Sequence, residues 1–451
     1  MQVVKDLLCK HISSVLRHED QMNMHEKNAV SAVSNIVDSF HRLKYNDCME
    51  RLQAYKFELM PNGEQRRQMS RFAGTCRYVY NKFLAMQQEN HQTGKTYTRY
   101  ADMAKSLPIW KRETETAWLK ESPSQALQQT LKDLDKAFQS FFKKQSGYPK
   151  FKKKSQHDSF RFPDAKQIKL EEDNQRVFLP KLGWIRYRKS RNIEGLVRNA
   201  TVSLCGGKWC VSIQTQRDVA EPVHSSQSIV GIDVGISKFA TLSTGEVIVP
   251  IHSLRQMEEK LARLQRKLAK KKKGSKNAKK IKRKIQKCHV KIANVRKDHL
   301  HKTTTMLCKN HAVIVVEDLQ VQKMSRSAKG TIEKPGHHVR AKAKLNKSIL
   351  DQGWGEFVRQ LTYKQKWVGG HVISIAPQFT SQRCNNCGHT AKESRTSQAR
   401  FCCVACGHSE NADVNAAKNI EAAGRAVLAR GEMAIAVSVK QEPSEAIQAL
   451  A

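Results

Sequence analysis

The segment Ile229-Val-Gly-Ile-Asp-Val-Gly-Ile-Ser-Lys-Phe-Ala-Thr-Leu-Ser243 decides how the second half of this 451-residue chain is interpreted. Its first part has the pattern of a buried strand that carries one acid, Asp233, and a second strand follows a glycine turn. Gly231 and Gly235 flank the acid, and we expect them to allow the close backbone approach that a metal site beneath a phosphate requires. The segment predicts paired strands with a carboxylate among them.

Two further acids lie at the ends of apolar or helical segments. Glu317 closes the strand Val313-Ile-Val-Val-Glu317, and Asp413 begins a helix in Asn411-Ala-Asp-Val-Asn. Carboxylates that a fold brings together bind Mg²⁺ or Mn²⁺, and two such ions roughly 3.5–4 Å apart support phosphodiester hydrolysis. Taken singly, Asp233 could be a turn residue, Glu317 a strand end and Asp413 a helix cap. Taken together, the order Asp–Glu–Asp in an α/β domain is typical of RNase H-like nucleases.

Four cysteines near the C-terminus form two pairs, Cys384-Asn-Asn-Cys387 and Cys403-Val-Ala-Cys406, each followed by Gly-His. Two Cys-x-x-Cys pairs separated by a short loop supply the tetrahedral thiolate set that Zn²⁺ prefers. Cys402 is not expected to take part, because only Cys403 keeps the two-residue gap to Cys406. The alternatives are a redox pair or a chance grouping. A zinc site closed by protein ligands supports structure or nucleic-acid binding rather than catalysis.

The charge of the chain limits its partners. The sequence has 80 Lys and Arg against 41 Asp and Glu, a formal charge of +39. Such an excess repels itself unless a polyanion screens it, so we expect a nucleic-acid partner. No stretch approaches the roughly 18 to 20 apolar residues of a spanning helix, and the N-terminus lacks the features of a signal peptide. These observations predict a cytoplasmic, nucleoid-associated protein without membrane contacts.

The first half of the chain combines short strands with a helical insert. Strand-like alternation occurs at 55–59, helical patterns follow at 64–80 and 122–144, and short aromatic and basic strands fill 147–221. We expect a small β-barrel with an inserted helical layer at about 64–146. Interleaved aromatic and basic residues suit a nucleic-acid surface. An ordinary barrel with solvated lysines is the alternative.

A basic helical hairpin is predicted at 252–300. It holds 19 Lys and Arg between Arg255 and Lys297 against two glutamates. A charge run is usually a solvated helix face, but this density favours phosphate contact. A second basic tract at 323–347 is expected to be a mobile loop. The candidate phosphate contacts at the break of the hairpin are Lys271, Lys272 and Lys273.

Several separate motifs carry a resemblance to TnpB, the OrfB protein of bacterial insertion sequences. They extend over about residues 54–430 and include Gly231-Ile-Asp-Val-Gly, Val316-Glu-Asp-Leu, Gln352-Gly-Trp-Gly-Glu-Phe, Ser381-Gln-Arg-Cys-Asn-Asn-Cys-Gly and Asn411-Ala-Asp-Val-Asn-Ala-Ala-Lys-Asn-Ile. The resemblance implies a metal-dependent, RNA-guided DNA endonuclease with a RuvC domain. Asp233, Glu317 and Asp413 would be its catalytic, Mg²⁺- or Mn²⁺-binding triad, and DNA and a guide RNA from the transposon end its partners. Gln128 would lie on the helix near the motif that is read beside the target.

The resulting fold class is multidomain α/β: a wedge-like barrel with a helical insertion, then an RNase H-like RuvC domain with an inserted zinc ribbon. The expected parts are an extension at 1–53 with Met49 as an alternative start, the barrel at 54–221, a linker at 222–228, the first RuvC part at 229–379, the ribbon at 380–410, the last RuvC helix at 411–430 and a flexible tail at 431–451.

Two other functions fit parts of the sequence. A guided repressor or an accessory DNA-binding transposition protein would bind without cutting, but such relatives are expected to lose one or more of the three acids. A zinc-ribbon scaffold without nucleic-acid chemistry leaves the charge of +39 and the acids unexplained.

Overall fold

The computed structural model describes residues 48–154 and 158–430. Expectations about residues 1–47 and about the tail at 431–451 lie outside this part. The described chain contains helices and two large sheets with separate cores, so the predicted mixed α/β content is confirmed. No helix in the described part is long and apolar enough to span a membrane.

The first sheet has seven strands in the order β2-β6-β7-β1-β5-β4-β3, and its neighbours pair antiparallel. The long strand β1 connects the two halves of the sheet, because it pairs with β7 on one side and β5 on the other. In this order β2 and β3 are the outer strands, and closure into a barrel stays a prediction. The strands are β1 (Cys48–Met60), β2 (Ser159–Phe162), β3 (Lys169–Glu171), β4 (Arg176–Leu179), β5 (Gly183–Tyr187), β6 (Leu196–Cys205) and β7 (Lys208–Ala220).

Three helices follow β1 in the chain and precede β2: α1 (Gly63–Gln92), α2 (Tyr100–Arg112) and α3 (Ser124–Phe142). The first is longer than the predicted stretch and begins with a capping box between Asn62 and Gln65. The helices share one apolar core with the sheet, and Phe72 meets Phe160 edge to face at 5.7 Å. The helical layer is therefore packed on the strands and is not a separate unit.

The second sheet has five strands in the order β10-β9-β8-β11-β12. Strands β8, β11 and β12 are parallel, whereas β9 and β10 are antiparallel additions. Parallel strands end at the same edge, so residues at their carboxyl ends become neighbours. The strands are β8 (Ile229–Val234), β9 (Ala240–Leu242), β10 (Val247–Ile248), β11 (Val313–Glu317) and β12 (His371–Ile375).

Six helices accompany this sheet, and one of them corrects the sequence interpretation. The tract at 323–347 was expected to be a loop, but 339–347 belongs to a helix whose buried Ile349 faces the core. Lysine is a good helix former, so the charge run did not exclude a helix. The helices are α4 (Arg255–Ala269), α5 (Lys276–Asn310), α6 (Val321–Met324), α7 (Val339–Gln352), α8 (Trp354–Val368) and α9 (Ala412–Ala429).

A small two-stranded ribbon precedes α9 and consists of β13 (Arg400–Cys402) and β14 (Ser409–Asn411). Phe401 is fully buried beneath it beside Cys384 and Cys403. Helix α9 then packs on the five-stranded sheet, where Ile420 joins the core of β11 and β12. The ribbon and the sheet are thus connected through the start of one helix.

Candidate metal centres

Asp233 and Glu317 lie side by side at one edge of the five-stranded sheet. Ile232 of β8 pairs with Val316 of β11 in parallel register, and each acid is the next residue of its strand. Asp413 is the second residue of α9, which packs against β8 and β11. The structure therefore brings together the three acids that the sequence singled out.

The pKa of Asp233 reflects the proximity of the other two acids. Its pKa is raised from 3.8 to about 7, first by burial and then by the negative charges of Glu317 and Asp413. Arg395 and Lys238 oppose the shift. The pKa of Glu317 is also raised, chiefly by burial, while a hydrogen bond donated by Thr380 Oγ1 at 2.6 Å favours its charged form. The cluster holds more negative charge than its surroundings neutralise.

Asp413 is held by cationic partners. Lys238 Nζ lies 2.9 Å from Asp413 Oδ2, and an Arg395 guanidinium nitrogen lies 3.8 Å from Oδ1. The Asn411 side chain caps α9 by accepting from the backbone N–H groups of Asp413 and Val414. Sequence reasoning missed Lys238, Arg395 and Thr380, because only the fold brings these residues to the acids.

The donor set fits a hard divalent cation. Carboxylate oxygens are the ligands that Mg²⁺ and Mn²⁺ prefer, and a cation would favour the charged form of Asp233, whose pKa is raised by burial and by the neighbouring acids. The three acids are neighbours without forming a closed oxygen cage. Within the described residues, the four cysteines are the only group of three or more His, Cys, Asp or Glu ligands whose atoms all lie within 4.8 Å of one another.

The four cysteines form a compact sulfur cluster. The Sγ atoms of Cys384 and Cys406 are 3.8 Å apart, and those of Cys387 and Cys403 are 3.6 Å apart. A tetrahedron with Zn–S bonds of about 2.3 Å has edges of about 3.8 Å, so the set fits Zn²⁺ without rearrangement. Cys402 lies on β13 and does not belong to this group of ligand atoms.

The Gly-His pairs that follow the cysteine pairs take part through their backbone atoms, which help to form the two turns. In the first turn the Cys384 N–H donates to the His389 carbonyl at 2.8 Å, and in the second the Cys403 N–H donates to the His408 carbonyl at 2.8 Å. The glycine before each histidine, Gly388 or Gly407, has a positive φ (76° and 73°), which glycine adopts easily. The histidine rings are not part of the metal-ligand group.

Three asparagines of α9 and its cap fasten the ribbon to the helix that carries Asp413. Asn415 accepts from the Asn385 N–H at 3.0 Å and donates to the Arg383 carbonyl at 2.8 Å. Asn419 donates to the Arg383 carbonyl at 2.6 Å and to the Thr380 carbonyl at 2.9 Å. The spacing of four between Asn411, Asn415 and Asn419 is the signal that could have predicted this polar helix face.

The candidate nucleic-acid residues lie on the surface. Gln128 is exposed on α3, and Lys271, Lys272 and Lys273 are exposed in the turn between α4 and α5. Their accessibility is compatible with the predicted contacts, which stay predictions.

The fold and the two clusters define a class of protein: an α/β chain with a carboxylate site at the edge of a mixed sheet and a four-cysteine ribbon before its last helix. The family model OrfB_IS605, "Probable transposase", matches residues 208–328. The Cas12f1-like TNB domain matches residues 354–420, which include the ribbon. A family model described as a helix-turn-helix domain matches residues 49–96, where the structure has β1 and the single helix α1.

Two full-length relatives place the chain in its family. "Putative RNA-guided DNA endonuclease InsQ" of Escherichia coli (strain K12) is 57% identical over 404 residues, covering 89% of this chain and 100% of the relative. A "Putative RNA-guided DNA endonuclease" of Streptomyces pristinaespiralis is 33% identical over 407 residues, covering 87% and 96%. The chain belongs to the TnpB/OrfB family of insertion-sequence proteins.

A shorter match covers part of the chain. The "CRISPR-associated endodeoxyribonuclease Cas12f1" of Sulfoacidibacillus thermotolerans is 46% identical over 71 residues, which is 15% of this chain and 17% of the relative. This sequence match is confined to that segment of the chain.

Proposed function

We propose that this chain is an RNA-guided DNA endonuclease of an insertion sequence, with Asp233, Glu317 and Asp413 as its catalytic carboxylates. One observation carries the proposal: two acids lie at the same level at or next to the carboxyl ends of adjacent parallel strands, and a third lies on the helix packed against them. The raised pKa of Asp233 supports it, because carboxylates that share a site are stabilised by cations. The names of the two full-length relatives support the activity.

The three acids would hold Mg²⁺ or Mn²⁺, and such an ion would supply Lewis-acid chemistry for phosphodiester hydrolysis at this edge of the sheet. Thr380 holds one oxygen of Glu317 in place by its hydrogen bond, which leaves the other oxygen for ligation. Lys238 and Arg395 provide positive charge beside Asp413, and this charge favours the approach of a phosphodiester. The reaction class is hydrolysis of DNA phosphodiester bonds.

Zn²⁺ would occupy the four-cysteine cluster and have a structural role. All four tetrahedral positions would be filled by Cys384, Cys387, Cys403 and Cys406, so none would remain for substrate. Through its hydrogen bonds with the asparagines of α9, an ordered ribbon would hold the start of the helix that carries Asp413 in place.

The finer architecture belongs to the same proposal. Residues 229–379 and 411–430 would form an RNase H-like RuvC domain interrupted by the ribbon at 380–410, and the strand order of the five-stranded sheet supports this division. Residues 54–221 would form a barrel with a helical insertion that binds guide RNA and its heteroduplex with DNA, and residues 222–228 would be the linker. The net charge of +39 supports polyanionic partners and a place beside the nucleoid.

The deciding experiment separates binding from cutting. The gene is expressed with its native 3′ flank, the co-purifying RNA is sequenced, and plasmids that match this RNA next to a randomised flanking sequence are incubated with Mg²⁺. Asp233→Ala, Glu317→Ala and Asp413→Ala should each abolish linearisation and retain RNA-dependent target binding. Asp318→Ala, at the exposed acid beside Glu317, is the matched control and should cut like the wild type.

Two outcomes would change the proposal. Cleavage by any of the three variants would remove that residue from the catalytic set. A wild-type protein that binds the target specified by its RNA without cutting it would favour the guided-repressor function.

A further inference from the structure

A groove with a volume of about 480 Å³ lies between the start of α2 and the C-terminal half of α3. Its lining includes Tyr97, Arg99, Asp135, Gln139 and Phe142. None of these residues belongs to the carboxylate site or to the four-cysteine ribbon. The volume falls in the range of roughly 300–1,000 Å³ that is usual for small-ligand sites.

One wall of the groove is formed by an aromatic ring that is more than half exposed to solvent. Phe142, the last residue of α3, is 55% exposed. Its other contacts are with rings, since its centroid lies 5.4 Å from Tyr97, 5.6 Å from Phe141 and 6.0 Å from Phe138. An exposed ring that neighbouring rings hold in place is a platform on which a nucleobase can stack.

The rim of the groove is positively charged. Arg99 is exposed immediately before α2, and Lys143 and Lys144 follow Phe142 directly. Among residues 48–154 and 158–430, these three cations have no ion-pair partner. The stretch 143–154 contains six lysines and no acid. Phosphate groups complement this charge.

Asp135 is a hydrogen-bond acceptor in the lining of the groove. Asp135 Oδ1 accepts from the Tyr97 hydroxyl at 2.9 Å and from the Tyr100 N–H at 3.2 Å, and Oδ2 accepts from Gln139 Nε2 at 2.6 Å. A carboxylate has about four acceptor positions, so one at Oδ2 remains open. A ribose 2′-hydroxyl can donate to it, whereas deoxyribose has no such donor.

We propose that this groove binds one unpaired nucleotide of RNA. The base stacks on Phe142, the neighbouring phosphates lie against Arg99 and Lys143, and the ribose 2′-hydroxyl donates to Asp135. The inference rests on the RNA partner of the proposed function and adds a particular subsite for a single unstacked residue of that RNA.

The test uses the full-length protein with fluorescent decamers of uridine (rU10) and deoxyuridine (dU10) at one near-physiological salt concentration. Phe142→Ala should weaken rU10 binding roughly 5- to 100-fold, the effect expected when one base no longer stacks on an aromatic ring. Phe142→Trp should restore it, and Trp118→Ala, at another exposed aromatic residue outside the groove, should leave it unchanged. A 5-iodouridine probe should crosslink to the peptide that contains Phe142.

The possible results lead to different conclusions. Equal rU10 affinity of the wild type and of correctly folded Phe142→Ala, as judged by thermal melting, would overturn the groove as a stacking site, and so would a crosslink located elsewhere. Wild-type binding of dU10 as tight as that of rU10 would overturn the assignment to RNA. Wild-type protein that binds its co-expressed RNA while the groove variants behave normally would leave the proposed function standing. A wild type that binds no RNA at all would overturn the proposed function itself.

Discussion

Gly231 on β8 lies directly against Ala417 on α9. A Cβ atom added to Gly231 would come within 2.1 Å of the Ala417 carbonyl oxygen and within 2.5 Å of the Glu421 backbone nitrogen. Both are backbone atoms of one helix, so neither can move without moving α9. Gly231 was expected, with Gly235, to allow the close backbone approach that a metal site requires; the backbone that approaches Gly231 is that of the helix that carries Asp413.

This close approach predicts the effect of one methyl group. Gly231→Ala should push α9 away from β8, which lowers the free energy of unfolding by at least about 1–3 kcal/mol and abolishes cleavage. Thermal melting and plasmid linearisation measure the two effects. Gly355→Ala is the control, because nothing except the adjoining backbone of α8 lies within 4 Å of the Cβ position of Gly355, and alanine there should be neutral or stabilising. A Gly231→Ala protein that melts and cuts like the wild type would contradict the packing described.

The cysteine cluster predicts different zinc contents for two adjacent substitutions. Cys403→Ser should lose bound Zn²⁺, because Cys403 supplies one of the four clustered sulfur atoms, while Cys402→Ser should keep one Zn²⁺ per chain. Metal analysis of the purified variants measures the difference. Equal loss in both variants would show that the ligand set is assigned wrongly.

The raised pKa of Asp233 predicts how stability depends on pH in the metal-free protein. The carboxyl group of Asp233 has an ordinary pKa of 3.8 and a pKa of about 7 in the folded protein. The folded state therefore binds this proton more tightly than the unfolded chain does. Stability from this group is therefore present at low pH and is lost as the pH rises through that range.

The measurement compares the wild type with Asp233→Asn by denaturant unfolding from pH 4 to pH 8 in a chelator. The wild type should lose stability relative to the variant as the pH rises, and Mg²⁺ should restore more of it at pH 8 than at pH 5. Parallel curves for the two proteins would mean that Asp233 titrates like an ordinary carboxylate.

The turn between α4 and α5 predicts a change in salt dependence. If Lys271, Lys272 and Lys273 bind phosphate groups, reversing all three to Glu should reduce the slope of log affinity against log salt by roughly one unit for each phosphate that is no longer neutralised. Lys309→Glu, at the exposed C-terminal end of α5, provides a comparison on the helix that follows this turn. An unchanged slope in the triple variant would show that these lysines are ordinary solvated residues that bind no phosphate.

The sequence predicted those parts of the site that depend only on residues close together in the chain. Asp233 and Glu317 lie at or near the ends of apolar strands, and the two-residue gaps of the cysteine pairs are a property of the chain itself, so all were readable from the sequence. Lys238 and Arg395 meet Asp413 only because a loop after β8 and a loop of the ribbon converge on α9, and no sequence spacing encodes that. The helix at 339–352 was missed for another reason, since its lysines concealed a narrow apolar face.

Asn415 accepts a hydrogen bond from the Asn385 N–H and donates one to the Arg383 carbonyl, and these two bonds have a consequence for the cell in which this protein works. If the cysteines hold zinc as proposed, a shortage of that metal would loosen the ribbon and, through these two bonds, the first turn of α9. The protein would then still recognise nucleic acid through its basic surfaces while its acids were misaligned. Under the proposed function, zinc supply would thereby control how often the protein cuts DNA.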